Sequence, residues 1–153
     1  MTEVLLDVFG TPAPKGSNRA MVRGGRAVFV PGGSKVNQVA LKGWDVAVRE
    51  GALEQLGPCL SPKFVACPLA VTITFRISRP GGHWNPKTGQ LKASAPQFPA
   101  KKPDVDKLAR ATLDSLNGLV FDDDARIVEL VVRKRFAEPG REGAEIRVWE
   151  HKG

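Results

Sequence analysis

Apolar and polar residues alternate over residues 69–78, with Leu69, Val71, Ile73, Phe75 and Ile77 on one face and Ala70, Thr72, Thr74 and Arg76 on the other. A period of two marks a strand with one buried face, and Pro68 suits its first position. A shorter apolar run over residues 4–9 predicts a first strand ending at Gly10. Two further runs, residues 21–23 and 26–30, flank Gly24-Gly25, which predicts a hairpin on a two-residue turn, closed by Pro31-Gly32-Gly33. Its apolar residues read as a structural flap, and its arginines are able to touch phosphate.

Elsewhere the period becomes helical. Ser34 is an N-cap signal for a helix running to about Leu56. Val36, Val39, Ala40, Val46, Ala47, Leu53 and Leu56 lie near helical spacing and are expected to form its buried face, and Gly57-Pro58 stops it. A second helix is predicted after Pro103, from about Asp106 to Asn117, with Val105, Leu108, Ala109, Thr112, Leu113 and Leu116 as its buried stripe. Lys107, Arg110 and Asp114 share another face, and Asn117-Gly118 ends the helix. A strand from near Arg126 to Phe136, a turn at Glu138-Pro139-Gly140 and a strand over residues 145–150 predict a closing antiparallel hairpin.

Periodicity vanishes over residues 79–103, which hold five prolines, three glycines, four lysines, Trp84 and Phe98. A structureless loop of that length is usually functional or disordered. Lysines interleaved with aromatics suit an arm over nucleic acid, where a ring stacks on an exposed base; a mobile, solvated insertion is the alternative.

At 153 residues the chain is expected to form one domain with a real core, and its hydrophobic and charged fractions, 42% and 25%, are ordinary for a soluble protein. The net charge of +7 favours a polyanionic partner. Charge is also segregated. Lys15, Arg19, Arg23, Arg26, Lys35 and Lys42 lie between Asp7 and Asp45 with no carboxylate among them. Lys63, Arg76, Arg79, Lys87, Lys92, Lys101 and Lys102 form a second acid-free segment. Two cysteines, Cys59 and Cys67, give no disulfide framework and no zinc pattern, and read as reduced thiols of a cytosolic protein. The N-terminus does not resemble a signal peptide, and no segment approaches a membrane span.

Against this basic background, Asp104, Asp106, Asp114, Asp122, Asp123 and Asp124 crowd into one short stretch. Like charges repel unless neutralised, and a divalent cation is the usual agent. Asp104 and Asp106 enter a helix, project from one face if the segment is extended, and sit where the helix dipole favours anions. A helix and a returning segment can bring residues 122–124 back beside them. Converging carboxylates make a hard oxygen site suited to magnesium or manganese, able to cut a phosphodiester. Arg110, one turn beyond Asp106, is the natural cation for the scissile phosphate, with Lys107 second. The same residues also admit plainer roles: a helix cap at Asp104 or Asp106, an Arg110–Asp114 ion pair, and a solvated turn or weak calcium site at residues 122–124.

The string KPDVDKLARATLDSLNGLVFDDDARI closely resembles the signature of the RusA family of Holliday junction resolvases, often encoded by phages and prophages. The likeness covers most of the chain, with the early strand, PAPKGSNRA, the long helix, the strand before the motif and the closing hairpin in the expected order. It implies an α+β fold in a single small domain, with a mixed sheet and two main helices, forming a homodimer. It also implies magnesium-dependent paired nicking of four-way DNA junctions, with manganese expected to substitute, in the cytoplasm (the bacterial host's if phage-encoded). By position, Asp104 and Asp106 match the paired metal-binding aspartates. Asp123 and Asp124 match the later Asp-Asp pair, with Asp124 the remaining catalytic acid.

Two departures stand out. The family's catalytic lysine falls at Arg110, which keeps charge but not a lysine's compact donor, with Lys107 one turn away. The extra Asp122 leaves the register of the last carboxylate open by one residue. Lys15, Arg19, Lys87, Lys92, Lys101, Lys102 and Lys107 are the expected DNA contacts. A less selective nuclease of flaps and forks, and a basic DNA-binding protein without cleavage, are the competing expectations.

Overall fold

The computed structural model describes residues 2–16, 19–30, 34–58 and 61–153. The chain runs β1 (Glu3–Phe9), β2 (Arg19–Arg23), β3 (Arg26–Val30), α1 (Lys35–Leu56), β4 (Leu69–Ile77), α2 (Val105–Leu116), β5 (Ile127–Phe136) and β6 (Gly143–Glu150). Four strands make one mixed sheet in the order β1-β6-β4-β5, and β2 pairs only with β3. This is an α+β fold, a mixed sheet with two main helices.

The closing hairpin expected from the sequence does not form. β6 inserts between β1 and β4, antiparallel to both, while β5 pairs parallel to β4 at the edge. Burial explains the order. In β6, Ala144, Ile146 and Val148 are wholly buried, which suits a central strand. β5 carries Glu129, Arg133, Lys134 and Arg135, charges that suit an edge. Parallel β4 and β5 require a crossover, which α2 supplies. At the start of β6, Gly143 has φ +153°, and a methyl group there would strike the Val8 carbonyl, so β1 approaches only because the residue is glycine.

The β4 alternation holds, with Leu69, Val71, Ile73 and Phe75 in the core. Ser34 caps α1 by accepting the Asn37 amide at 3.3 Å. The buried face of α1 matches the expected one only in part, at Ala47 and Leu56, which pack against the core. Trp44, Val48 and Ala52, at i, i+4 and i+8, face the core, whereas Val36 and Val39 are 76% and 72% exposed, and Val46 and Leu53 are also exposed. Both lines are helical in period, so periodicity alone does not choose between them. The one large ring decides, because burying Trp44 removes more apolar surface from water than any valine does. Its Nε1 also donates to Thr112 Oγ1 at 3.0 Å, locking α1 to α2. Beside it, Ser115 Oγ donates to Asp45 at 2.5 Å.

The β2–β3 hairpin turns at Gly24 and Gly25, with φ +58° and +74°, as its sequence predicts. Its Met21, Val22 and Val28 are exposed. Pro31-Gly32-Gly33 and Cys59 lie outside the described residues; Cys67 is a half-buried free thiol.

Nor is the segment of residues 79–103 structureless. A short 3₁₀ turn at Gly81–His83 leads to an isolated Trp84–Leu91 bridge. Asn85 receives the Gly89 amide, its own amide reaches Gln90, and its side chain accepts from Lys87. Arg79 lies 4.0 Å over the Phe136 ring and donates to the Pro96 carbonyl at 2.8 Å. Local polar turns and two cation–π contacts, Arg79 over Phe136 and Arg135 over Phe98, replace the missing apolar periodicity.

Candidate active site at the start of the second helix

Asp104 immediately precedes α2 in extended conformation, and its side chain makes no capping hydrogen bond. Its carboxylate is exposed, with Lys107 Nζ 3.5 Å away. Two contacts fix the backbone that carries it. Lys134 of β5 donates to the Lys101 and Pro103 carbonyls at 2.8 and 2.9 Å. The Lys15 amide reaches the Lys107 carbonyl at 3.1 Å, tying the segment after β1 to the first turn of α2. Between these parts lies a cleft of about 440 Å³ whose polar wall includes Lys15, Asn37, Gln38, Lys102, Asp104 and Lys107.

Asp106 lies within the first turn of α2, near the positive end of the helix dipole. Because the helix begins at Val105, Asp104 and Asp106 do not share a strand face. Asp106 and Arg110 instead line a neighbouring groove of about 370 Å³ between α2 and β5, floored by Ala109, Leu113 and Val132. Asp114 pairs with Lys15 rather than with Arg110. Among the described residues Arg110 is exposed and forms no ion pair.

The three later aspartates separate by role. Asp122 accepts from the Ala66 amide and from Arg126, each at 3.3 Å, and its second oxygen is buried without a partner. Burial pushes its carboxyl up, but the Ala66 amide and the Arg126 guanidinium outweigh it and hold the group below the usual carboxylate range. Asp123 caps the short 3₁₀ turn Asp124–Arg126 by accepting from Ala125 at 2.9 Å. Asp124 is exposed. The extra aspartate in the sequence is therefore taken up by the turn, leaving Asp123 and Asp124 facing solvent.

These carboxylates lie toward the other end of α2 from Asp104. α2 spans 12 residues, about 18 Å at ~1.5 Å per residue. Asp104 lies at its start, near Lys134 and hence near Phe75 in the β4–β5 register, whereas residues 122–124 precede Ile127, which pairs with Leu69 at the other end. It is β5, not the turn, that runs back along α2. Among the described residues no three His, Cys, Asp or Glu side chains cluster to hold an ion.

Of the expected DNA contacts, Lys102 and Lys107 line the Asp104 cleft and Lys15 joins them while paired with Asp114. Lys101 sits on a second pocket, and Lys87 and Lys92 are exposed along the ordered loop. Arg19 opens β2, its side chain outside the described part. Lys134 was missed by the sequence reading. The signal was present: its parity in β5 matches Val132 and Phe136, an odd place for an ammonium without a dedicated partner.

The family profile described as "Endodeoxyribonuclease RusA" matches residues 10–148, spanning both helices, the cleft and all six clustered aspartates. The chain belongs to the RusA family. Membership implies endodeoxyribonuclease activity on DNA junctions. The chain is also similar to the uncharacterized protein YqaN of Bacillus subtilis (strain 168), 28% identical over 144 residues that cover 92% of each chain. Among the described residues no helix is long and apolar enough to cross a membrane.

A divalent cation is what the family resemblance leads one to expect, and two carboxylates near the start of α2 are available to one. Asp104 and Asp106 are exposed carboxylates at one helix start. Magnesium is usually held by one or two carboxylates completed by water and substrate phosphate, rather than by an all-protein cage.

Proposed function

We propose that the protein resolves four-way DNA junctions by paired symmetric nicks, as a magnesium-dependent homodimer working in the cytoplasm of the cell or of a phage's host. The observation that carries this reading is Asp104: an uncapped, exposed carboxylate beside Asp106, fixed by Lys134 in a cleft whose other charged groups are Lys15, Lys102 and Lys107. A site built only to cap a helix has no use for three lysines around it.

In this reading Lys102 and Lys107 grip the phosphodiester backbone, and exposed Lys87 and Lys92 extend the track along the loop. Lys107, 3.5 Å away, also holds the Asp104 carboxylate in place. Arg110, unpaired and one turn from Asp106, faces the scissile phosphate and offsets charge that develops on its oxygens. Asp104 and Asp106 hold magnesium, or manganese in its place, which when bound supplies an activated water and neutralises the leaving oxygen. Asp123 and Asp124 complete the acidic set from the far end of α2. Since one protomer keeps them apart, a two-fold dimer is the arrangement that brings them to a partner's Asp104. The exposed apolar line Val36, Val39, Val46 and Leu53 on α1, spaced by three, seven and seven residues, supports such an association.

Cleavage of a mobile four-way junction, set beside a flap and a linear duplex of matching sequence in magnesium, tests the proposal. Paired symmetric nicks confined to the junction are expected. Equal cutting of the flap would replace resolution by general debranching, and tight binding without cleavage in either metal would leave a DNA-binding protein only.

A further inference from the structure

The ordered loop folds back over the ends of β4 and β5 and encloses a second cavity of about 260 Å³. Its walls are flat and apolar: Phe98, Phe136, Pro96, Pro99 and Ile77, with the His83 ring among them. Phe136 is already engaged, with Arg79 over its face at 4.0 Å and His83 against its edge at 5.5 Å. Phe98 is half exposed, and Arg135 stands 5.3 Å from its centroid. No carboxylate lines the cavity; Lys101 and Lys102 form its charged rim. Lys102 also lines the Asp104 cleft, so one cationic side chain borders both depressions.

We propose that this pocket receives a single unstacked nucleobase of the DNA strand whose phosphate lies in the Asp104 cleft. The inference rests on the reading of that cleft as a DNA-phosphate site. A planar heterocycle suits a cavity walled by rings and prolines, with Phe98 as the stacking surface. Lys101, Lys102 and Arg135 offer charge to the phosphates on either side of it. The Ser78 hydroxyl and the His83 ring are the polar groups that meet the base edge. An apolar peptide or lipid chain would match the walls but offer nothing to the two lysines at the rim. Junction centres supply bases whose stacking is already weakened, which lowers the cost of extrusion. The pocket therefore makes the position of the cut depend on the identity of one base near it.

The test is an abasic scan. One nucleotide at a time around the crossover is replaced by a tetrahydrofuran analogue, and affinity is measured in calcium, for the intact protein and for Phe98→Ala and Phe98→Trp. At one register the wild type should lose about 5- to 100-fold in affinity. Phe98→Ala should show that loss with the intact junction and no further loss with the analogue, while Phe98→Trp should behave as wild type. Thermal melts of all three proteins should agree, because Phe98 is half exposed. A flat scan for the wild type, or an equal loss for wild type and Phe98→Ala, overturns the pocket. The two readings separate cleanly: a protein that nicks junctions but scans flat loses only the pocket, and one that shows the Phe98 cycle but never cuts loses only the nuclease.

Discussion

Asp122 spends its charge on the Ala66 amide and Arg126, Asp123 caps a short turn, and Asp104 has neither duty. Chemically identical side chains thus differ in what their replacement should do. Asp106→Asn removes an exposed carboxylate that makes no ion pair among the described residues. Junction affinity should therefore hold and melting temperature fall only slightly, by the lost helix-dipole contribution, while cleavage falls by at least about 100-fold, the upper end for weakening a metal site at one remove. Asp122→Asn breaks contacts that fix the turn before β5, so melting temperature should fall, with cleavage lost only in proportion to unfolding. Melting curves and single-turnover rates on the same two proteins check both, and the reverse pattern would exchange the roles of Asp106 and Asp122. Much of this was legible in sequence, because carboxylate clustering in a basic chain is a matter of composition. The assignment of Asp122 to the turn was not, since it depends on Ala66, far away in the chain.

Elements place these side chains through a few cross-links. Trp44 to Thr112 and Asp45 to Ser115 bind α1 to α2. Burial pushes the Asp45 carboxyl up, yet the Ser115 hydroxyl and Arg49 prevail and hold it below its ordinary value. A lowered folded pKa gives stability that is complete above the unfolded value, near 3.9, and is lost as pH falls through the folded one. Wild-type melting temperature should therefore drop more steeply below about pH 4 than that of Asp45→Asn, and parallel acid profiles would show the link to be inert. Lys134 links β5 to the backbone before Asp104. Lys134→Met keeps the stem, removes both hydrogen bonds, and should slow cleavage by about 10-fold at nearly constant junction affinity, a split that assays of rate and binding resolve. Element types were readable from period: the β4 alternation, the Ser34 cap and the Gly24-Gly25 turn all stand. Which line of α1 faces inward and which strand neighbours β6 were not, because both are settled by partners distant in sequence.

At the scale of the whole molecule, the basic surface and the separated carboxylates pose one problem. A +7 chain attracts DNA, but the acidic groups divide between the two ends of α2, so a single chain holds only part of the proposed metal site. Dimerisation through the outward line of α1 offers a remedy that mixing can expose. A chain carrying Asp104→Asn and Asp106→Asn should be inactive alone, as should one carrying Asp123→Asn and Asp124→Asn. If each site draws residues from both copies, the first chain still contributes its later aspartates and the second its earlier ones. A mixed dimer then carries one complete site and one empty site, and should nick one strand of the junction without the symmetric second cut. If each site belongs to one protomer, every site in the mixture lacks half its acids and no nick appears. Val46→Asp, placed on the exposed line of α1, should abolish the recovered nick and shift the sedimentation of the wild type to monomer, while its melt shows the protomer still folded. Recovery that survived Val46→Asp with unchanged sedimentation would move the dimer contact to another face.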